Sequence, residues 1–266
     1  MGLFHSNYNK PGPGVRKDEP RKKGFARFAE VMGRDFGDLF RANVLCAACF
    51  IPALSLTFLG ILCRTSLIAI LGGFLGGILA GPCYAGLHDT ILRALRDEPG
   101  YWWATYKKAL AQNWKASLLP GGIMGLLLSS QIFMTFFILT DSGRLSFGSL
   151  IVMCLNILLC SMLFPYLFSQ LVSMNLGFIP LVKNSLFLAL MNAPKSLLIA
   201  FIQIVYWVAM IVILPYSGLW FLIFGVAFIE VIVLMIVFPI LDKTFDLENK
   251  FKERREKELQ EASEKN

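Results

Sequence analysis

Apolar residues gather into six long runs separated by short polar breaks. The runs cover Asn43–Cys63, Ser66–Arg93, Ser117–Thr140, Phe147–Leu171, Ser196–Leu214 and Gly218–Leu241. About 20 apolar residues span a bilayer core as a helix, so each run predicts one crossing. The breaks at Arg64, at Asp141–Arg144 and at Pro215–Gly218 are short. They pair the runs into three helical hairpins. The expected fold is an all-α integral membrane protein of six transmembrane helices, with amphipathic helices at the cytoplasmic interface.

A different pattern precedes the first run. Phe25, Phe28, Ala29, Met32, Phe36 and Leu39 recur at helical spacing, while Arg27, Glu30, Arg34, Asp38 and Arg41 fall largely on the other side. This predicts an amphipathic helix over 25–41 lying in the membrane interface. Residues 1–24 are rich in Pro, Gly and charge and read as a basic tail without regular structure. No cleavable signal peptide is expected, because the first apolar run starts near Leu39 behind a polar, basic segment. The transmembrane domain then occupies 42–241 and a charged tail 242–266.

Within the second run, Gly72, Gly73, Gly76, Gly77 and Gly81 predict close helix–helix approach. Gly81-Pro82 predicts a kink or break near its end. Pro165 and Pro239 hold comparable places in the fourth and sixth runs. Asn156 and Glu230 each precede such a proline by nine residues, as Gly73 precedes Pro82. With Lys115-Ala-Ser-Leu-Leu and Lys195-Ser-Leu-Leu opening the third and fifth runs, the pattern suggests a threefold parallel repeat of one hairpin. Chance similarity between leucine-rich helices stands as the alternative.

Composition agrees with the pattern. Hydrophobic residues make up 56% of the 266 and charged residues 16%, with mean hydropathy +0.62. A soluble domain would carry about 25% charged residues. The net charge of +7 is a matter of topology. Of the 25 Lys and Arg, nine precede the first run, five lie from Arg93 at the end of the second to the start of the third, two between the fourth and fifth, and seven follow the sixth. The short breaks hold only Arg64 and Arg144. The positive-inside rule then places both termini in the cytoplasm. Cations beside membrane segments are explained by that rule and by anionic lipid, so nucleic acid is not an expected partner.

The connection Pro99–Lys115 interleaves Trp102, Trp103, Tyr106 and Trp114 with Lys107, Lys108 and Lys115. That mixture suits the headgroup layer or a partner surface. Phe178–Lys195 has a similar character with less charge.

Candidate chemistry is sparse. Glu230 lies about twelve residues into the sixth run, where an ionisable group costs a few kcal/mol and usually faces a cavity or a partner. Three roles stay open: hydrogen-bonded glue between helices, the lining of a substrate or ion path, and contact with another subunit. Gln131, Asn156 and Gln203 are the intramembrane polar residues that could pair with it. His88 and Asp89, with Arg93 one turn on, read as a polar cap at the cytoplasmic end of the second helix. Cys46-x-x-Cys49 has redox or metal spacing but lies inside a span without a second Cys or His pair, so the six cysteines read as small packing residues. No phosphate loop, HExxH or serine elbow occurs. Neither catalysis, nor a metal, nor a cofactor is expected.

Several stretches carry a family resemblance. Tyr8-Asn-Lys-Pro-Gly-Pro-Gly-Val15 is followed by a basic, Phe-rich helix. Gly81-Pro82-x-x-Ala85-Gly86-Leu87, Leu92-Arg93, Tyr106-Lys107-Lys108 and Asn113-Trp114-Lys115 continue the likeness. The chain in this respect resembles the YesL-like family of bacterial membrane proteins, a domain of unknown function found mainly in Gram-positive bacteria. The specific motifs lie in the first 115 residues; the later helices match in general character. Genes of that family often accompany those for oligosaccharide uptake by ABC importers. The resemblance therefore implies an accessory role beside an importer permease or ATPase. It supplies no catalytic or binding residues, and His88 departs from the aromatic or aliphatic residue expected there. The permease itself is not expected, because neither cytoplasmic connection holds an EAA-type loop. A small secondary transporter or channel with Glu230 on the path is the alternative, and a substrate-free membrane scaffold a third; the oligomeric state stays open.

Overall fold

A computed structural model describes residues 21–98, 100–140 (the side chain of Leu139 aside) and 147–253. The basic tail over 1–20, the 141–146 break and the end of the C-terminal tail lie outside the described residues. The elements are α1 (Gly24–Arg34), α2 (Phe36–Leu62), α3 (Ser66–Arg96), α4 (Trp102–Thr140), α5 (Phe147–Ser173), α6 (Phe178–Met191), α7 (Ala193–Val212) and α8 (Tyr216–Phe245). All but α1 and α6 are long and apolar enough to cross a membrane, which gives six candidate spans. The protein is an all-α, multi-pass membrane protein. Large apolar side chains such as Leu59, Leu75, Phe187, Phe201 and Leu219 cover the outside of the bundle, as a lipid-facing surface requires.

α3 packs tightly on two sides. One row, Gly72 and Gly76, abuts Leu56 and Ala53 of α2. The adjacent row, Gly73, Gly77 and Gly81, abuts Gly125, Gly121 and Ser117 of α4, backbone against backbone. α4 answers with small residues at the same four-residue spacing: Ser117, Gly121, Gly125 and Ser129. Rows i, i+4 lie along one helix face, so the two seams follow from spacing alone. Thr57 of α2 joins the seam by donating to Ser129 Oγ at 2.7 Å. This glycine seam joins the second and third spans, so it links two of the expected hairpins.

Three expectations are corrected by the helices themselves. The amphipathic stretch over 25–41 is two elements, broken at Asp35 between Gly33 and Gly37, both weak helix formers. Its second half is the start of span α2. Arg27, expected on the polar side, is buried, and its guanidinium donates to Leu95 O at 2.8 Å. Pro82 does not interrupt α3, which runs unbroken from Ser66 to Arg96. Nor is Pro99–Lys115 a separate interfacial element, since residues 102–115 are the first four turns of α4. At standard rise, α4's 39 residues reach about 58 Å, well beyond a ~30 Å hydrocarbon core.

α8 is the central span: 61% of its most apolar stretch is buried, against 17% in α5. It contains one π-helical turn, Phe221–Gly225. A π turn disturbs the regular ladder of backbone bonds, and α2 supplies the compensation. Asn43, fully buried, donates from Nδ2 to Phe221 O and Leu222 O at 3.1 and 3.0 Å. Its Oδ1 accepts from the Ala227 N–H at 2.8 Å.

The charged ends of the chain converge. Asp97, in the left-handed conformation just after α3, receives Arg27, Arg34 and Arg21. Arg21 also reaches Glu248 at 2.6 Å, and Arg96 lies over the Phe251 ring at 3.9 Å. α1, the end of α3 and the segment after α8 therefore meet at one end of the bundle. Burial by itself would raise the Asp97 carboxyl, but hydrogen bonds from Arg34 and Arg27 outweigh it and hold it below the ordinary carboxylate value.

Candidate functional site

Glu230 lies on α8 one turn beyond the π segment and is 5% exposed. Its partners come from α3. Tyr84 and His88 stand four residues apart, hence on one face, and that face is directed at α8. The Tyr84 hydroxyl donates to Glu230 Oε1 at 2.8 Å. His88 Nε2 lies 3.6 Å from Glu230 Oε2. On its far side, His88 Nδ1 is 3.5 Å from Ser169 Oγ of α5. Phe168 walls the group, 4.7 Å from the Tyr84 ring and 5.7 Å from His88. Phe50 of α2 meets Tyr84 edge-on at 6.2 Å. His88 has no exposed surface, and Tyr84 only 6%. Four spans therefore enclose one carboxyl, one imidazole, one phenol and one hydroxyl.

The expected partners of Glu230 are elsewhere. Asn156 donates to Leu127 O and Ser130 Oγ of α4, each at 3.0 Å. Gln131 donates to Thr135 within α4 at 3.2 Å. Gln203 is buried on α7. Among the described residues, none of the three is a hydrogen-bond or ion-pair partner of Glu230. Asn156 and Gly73, matched in the sequence by their distance to a proline, both abut the stretch 125–130 of α4, whereas Glu230 meets α3.

The polar-cap reading of His88-Asp89 divides. Asp89 pairs with Arg93 at 2.7 Å, as a cap would. His88 instead points into the core. Sequence reasoning also missed Tyr84 and Ser169, which resemble ordinary helix residues until α8 and α5 are placed beside them. It missed a second buried polar group, in which Gln170 of α5 donates to Ser185 of α6 at 2.9 Å and Tyr166 lies 3.1 Å from Ser196 of α7.

The aromatic–basic start of α4 is two-sided. Tyr106 is buried against Gly86, where a Cβ would strike its ring, and the Trp102 ring lies tilted against Tyr106 at 5.2 Å. Trp103 and Trp114 are exposed, with Lys107 and Lys115 5.1 and 5.4 Å from their respective rings. Lys108 is exposed as well. Cys46-x-x-Cys49 does not act as a unit: Cys46 is buried, and the Cys49 thiol lies 2.8 Å from Cys83 of α3. Among the described residues no three His, Cys, Asp or Glu side chains converge at metal-binding distances, and Glu230 with His88 makes two donors. Comparison of the chain with family models, with curated proteins and with solved structures returns no match.

Proposed function

We propose that the protein is an accessory subunit of a bacterial carbohydrate importer, standing beside an ABC permease or ATPase with both termini in the cytoplasm. The observation that carries this reading is the start of α4. It presents Trp103, Lys107, Trp114 and Lys115 outward on a continuous helix that runs on into a span, while Tyr106 seats its other side against Gly86. Exposed tryptophan beside cations, held on a rigid base, is the composition of a binding surface. The likeness to the YesL-like family supplies the nature of the partner, and the placement of Lys and Arg supplies the orientation.

The test is a photo-crosslinking amino acid placed at Trp103 or Trp114 in cells growing on a complex polysaccharide, with adducts identified by mass spectrometry. Adducts with an importer permease or ATPase are expected. Adducts with lipid alone would overturn the reading.

A second reading, a transporter with Glu230 on its path, draws on the buried Glu230–His88–Tyr84 group. Two cavities lie at the charged end, one lined by residues such as Asp35, Arg93 and Trp102 and the other by Arg96, Asp97 and Phe251, and Glu230 lines neither. The accessory reading stands first on the outward aromatic and basic face of α4. Flux of sugar or protons in proteoliposomes holding this protein alone would reverse the order.

A further inference from the structure

Glu230 Oε2 and His88 Nε2 are both buried, and among the described residues neither has a hydrogen-bond partner. They face each other across 3.6 Å, a small side-chain rotation away from a hydrogen bond. Buried polar atoms are almost always paired, so two orphans facing each other call for one explanation that serves both. We infer that Glu230 and His88 form a one-proton binding site between α8 and α3, in which the proton resides on Glu230 Oε2 and is held toward His88 Nε2.

The chemistry of the neighbours orients the whole chain of bonds. Tyr84 donates its only hydroxyl proton to Glu230 Oε1, which acts as the carbonyl oxygen of a neutral acid. The acid proton on Oε2 is then directed at Nε2, which accepts it only if the imidazole proton sits on Nδ1. Nδ1–H in turn faces Ser169 Oγ, 3.5 Å away, which accepts. The donors of Tyr84, Glu230 and His88 thus each meet an acceptor, and no formal charge is buried.

The alternatives fare worse. A bare carboxylate would be an uncompensated charge in the bilayer interior, and His88 is Glu230's only ion-pair neighbour among the described residues. Moving the proton to Nε2 would create two buried charges, whose desolvation the neutral pair avoids. Among the described residues, Cys46 of α2 interacts electrostatically with Glu230 and Tyr84, and Cys160 of α5 with Tyr84; neither is a cation. The site joins two spans through residues 142 apart in sequence, as residue numbers 88 and 230 show. This inference is independent of the importer reading, since it concerns neither the outward face of α4 nor any partner.

The chain has two histidines, His5 and His88, so a His5→Gln variant isolates the second. The experiment uses the full chain in lipid nanodiscs at neutral pH, with infrared spectroscopy for the carboxyl and ¹⁵N NMR for the labelled imidazole. A protonated-acid carbonyl stretch is expected, lost in Glu230→Gln and shifted to higher frequency in Tyr84→Phe, which removes the bond to Oε1. His88 should be neutral with its proton on Nδ1, and its Nε2 resonance should move in Glu230→Gln. Should Glu230→Gln not fold, Glu230→Asp and Tyr84→Phe carry the same test through shifts of the stretch. A doubly protonated His88, the absence of the acid stretch, or a His88 spectrum indifferent to Glu230 and Tyr84 would each overturn the inference.

Discussion

α3 meets α4 and α8 in opposite ways. Toward α4 it presents Gly73, Gly77 and Gly81, and the two backbones touch with almost no side chain between them. Toward α8 it presents Tyr84 and His88, whose polar atoms span the gap to Glu230. The first contact gains its stability from close packing of many small groups. The second depends on a few directed bonds in a dry setting, where each bond matters because its loss leaves a buried polar atom alone. One helix thus carries a scaffold face and a chemical face. Substitutions should separate them: the scaffold tolerates no added volume, and the chemical face tolerates no lost partner.

The largest effect is expected at the scaffold. A side chain at Gly77 would overlap the Gly121 carbonyl and the Gly125 backbone of α4, neither of which can rotate away. Gly77→Val should cost above about 3 kcal/mol. It should appear as loss of the monodisperse peak in fluorescence-detected size-exclusion chromatography. Next comes Asn43→Ala, which frees two carbonyls and one N–H around the π turn of α8. A cost of about 2–3 kcal/mol is expected, read as a lower unfolding midpoint in nanodiscs. Glu230→Gln keeps the shape and an acceptor for Tyr84, so its cost should be about 1 kcal/mol, with wild-type yield.

The smallest effect belongs to the charged end. Asp97 receives three arginines but remains partly exposed, so solvent screening limits Asp97→Asn to under about 1 kcal/mol. Its pH dependence has a definite sign. The folded-state carboxyl titrates below the ordinary value near 3.9, so its contribution is complete above that value. It is lost as the pH falls through the folded-state value. The unfolding midpoint of wild type should therefore drop below about pH 4 through this group, and Asp97→Asn should lessen that drop.

Much of the scaffold was legible in the sequence, and little of the site. Six apolar runs gave six spans because span length is a local property. The glycines of α3 announced close packing for the same reason, and the Gly121-x-x-x-Gly125 spacing of α4 was equally available to a reader looking for a partner. Glu230 stood out because a charge in an apolar run is conspicuous by itself. Its partners did not, because contact between residues 84 and 230 is a property of the assembled bundle. Tyr84 resembles many helix aromatics, and His88 followed by Asp89 and Arg93 imitates a polar helix end. Asn43 was hidden in another way: it sat at the start of a span, where a polar residue is unremarkable, and the π turn it completes leaves no sequence pattern. The continuity of α4 was obscured by Trp102, Lys107 and Lys108, whose composition suits an interface whether or not the helix runs on into the membrane.

The division of α3 into a scaffold face and a chemical face is the centre of the account. Its most direct test is thermal unfolding of Gly77→Val and Glu230→Gln side by side in lipid nanodiscs. Loss of cooperative unfolding in Gly77→Val, with a cooperative and modestly lowered transition in Glu230→Gln, is the expected result. A Gly77→Val protein that unfolds like wild type would contradict it, since α3 and α4 could not then meet backbone to backbone.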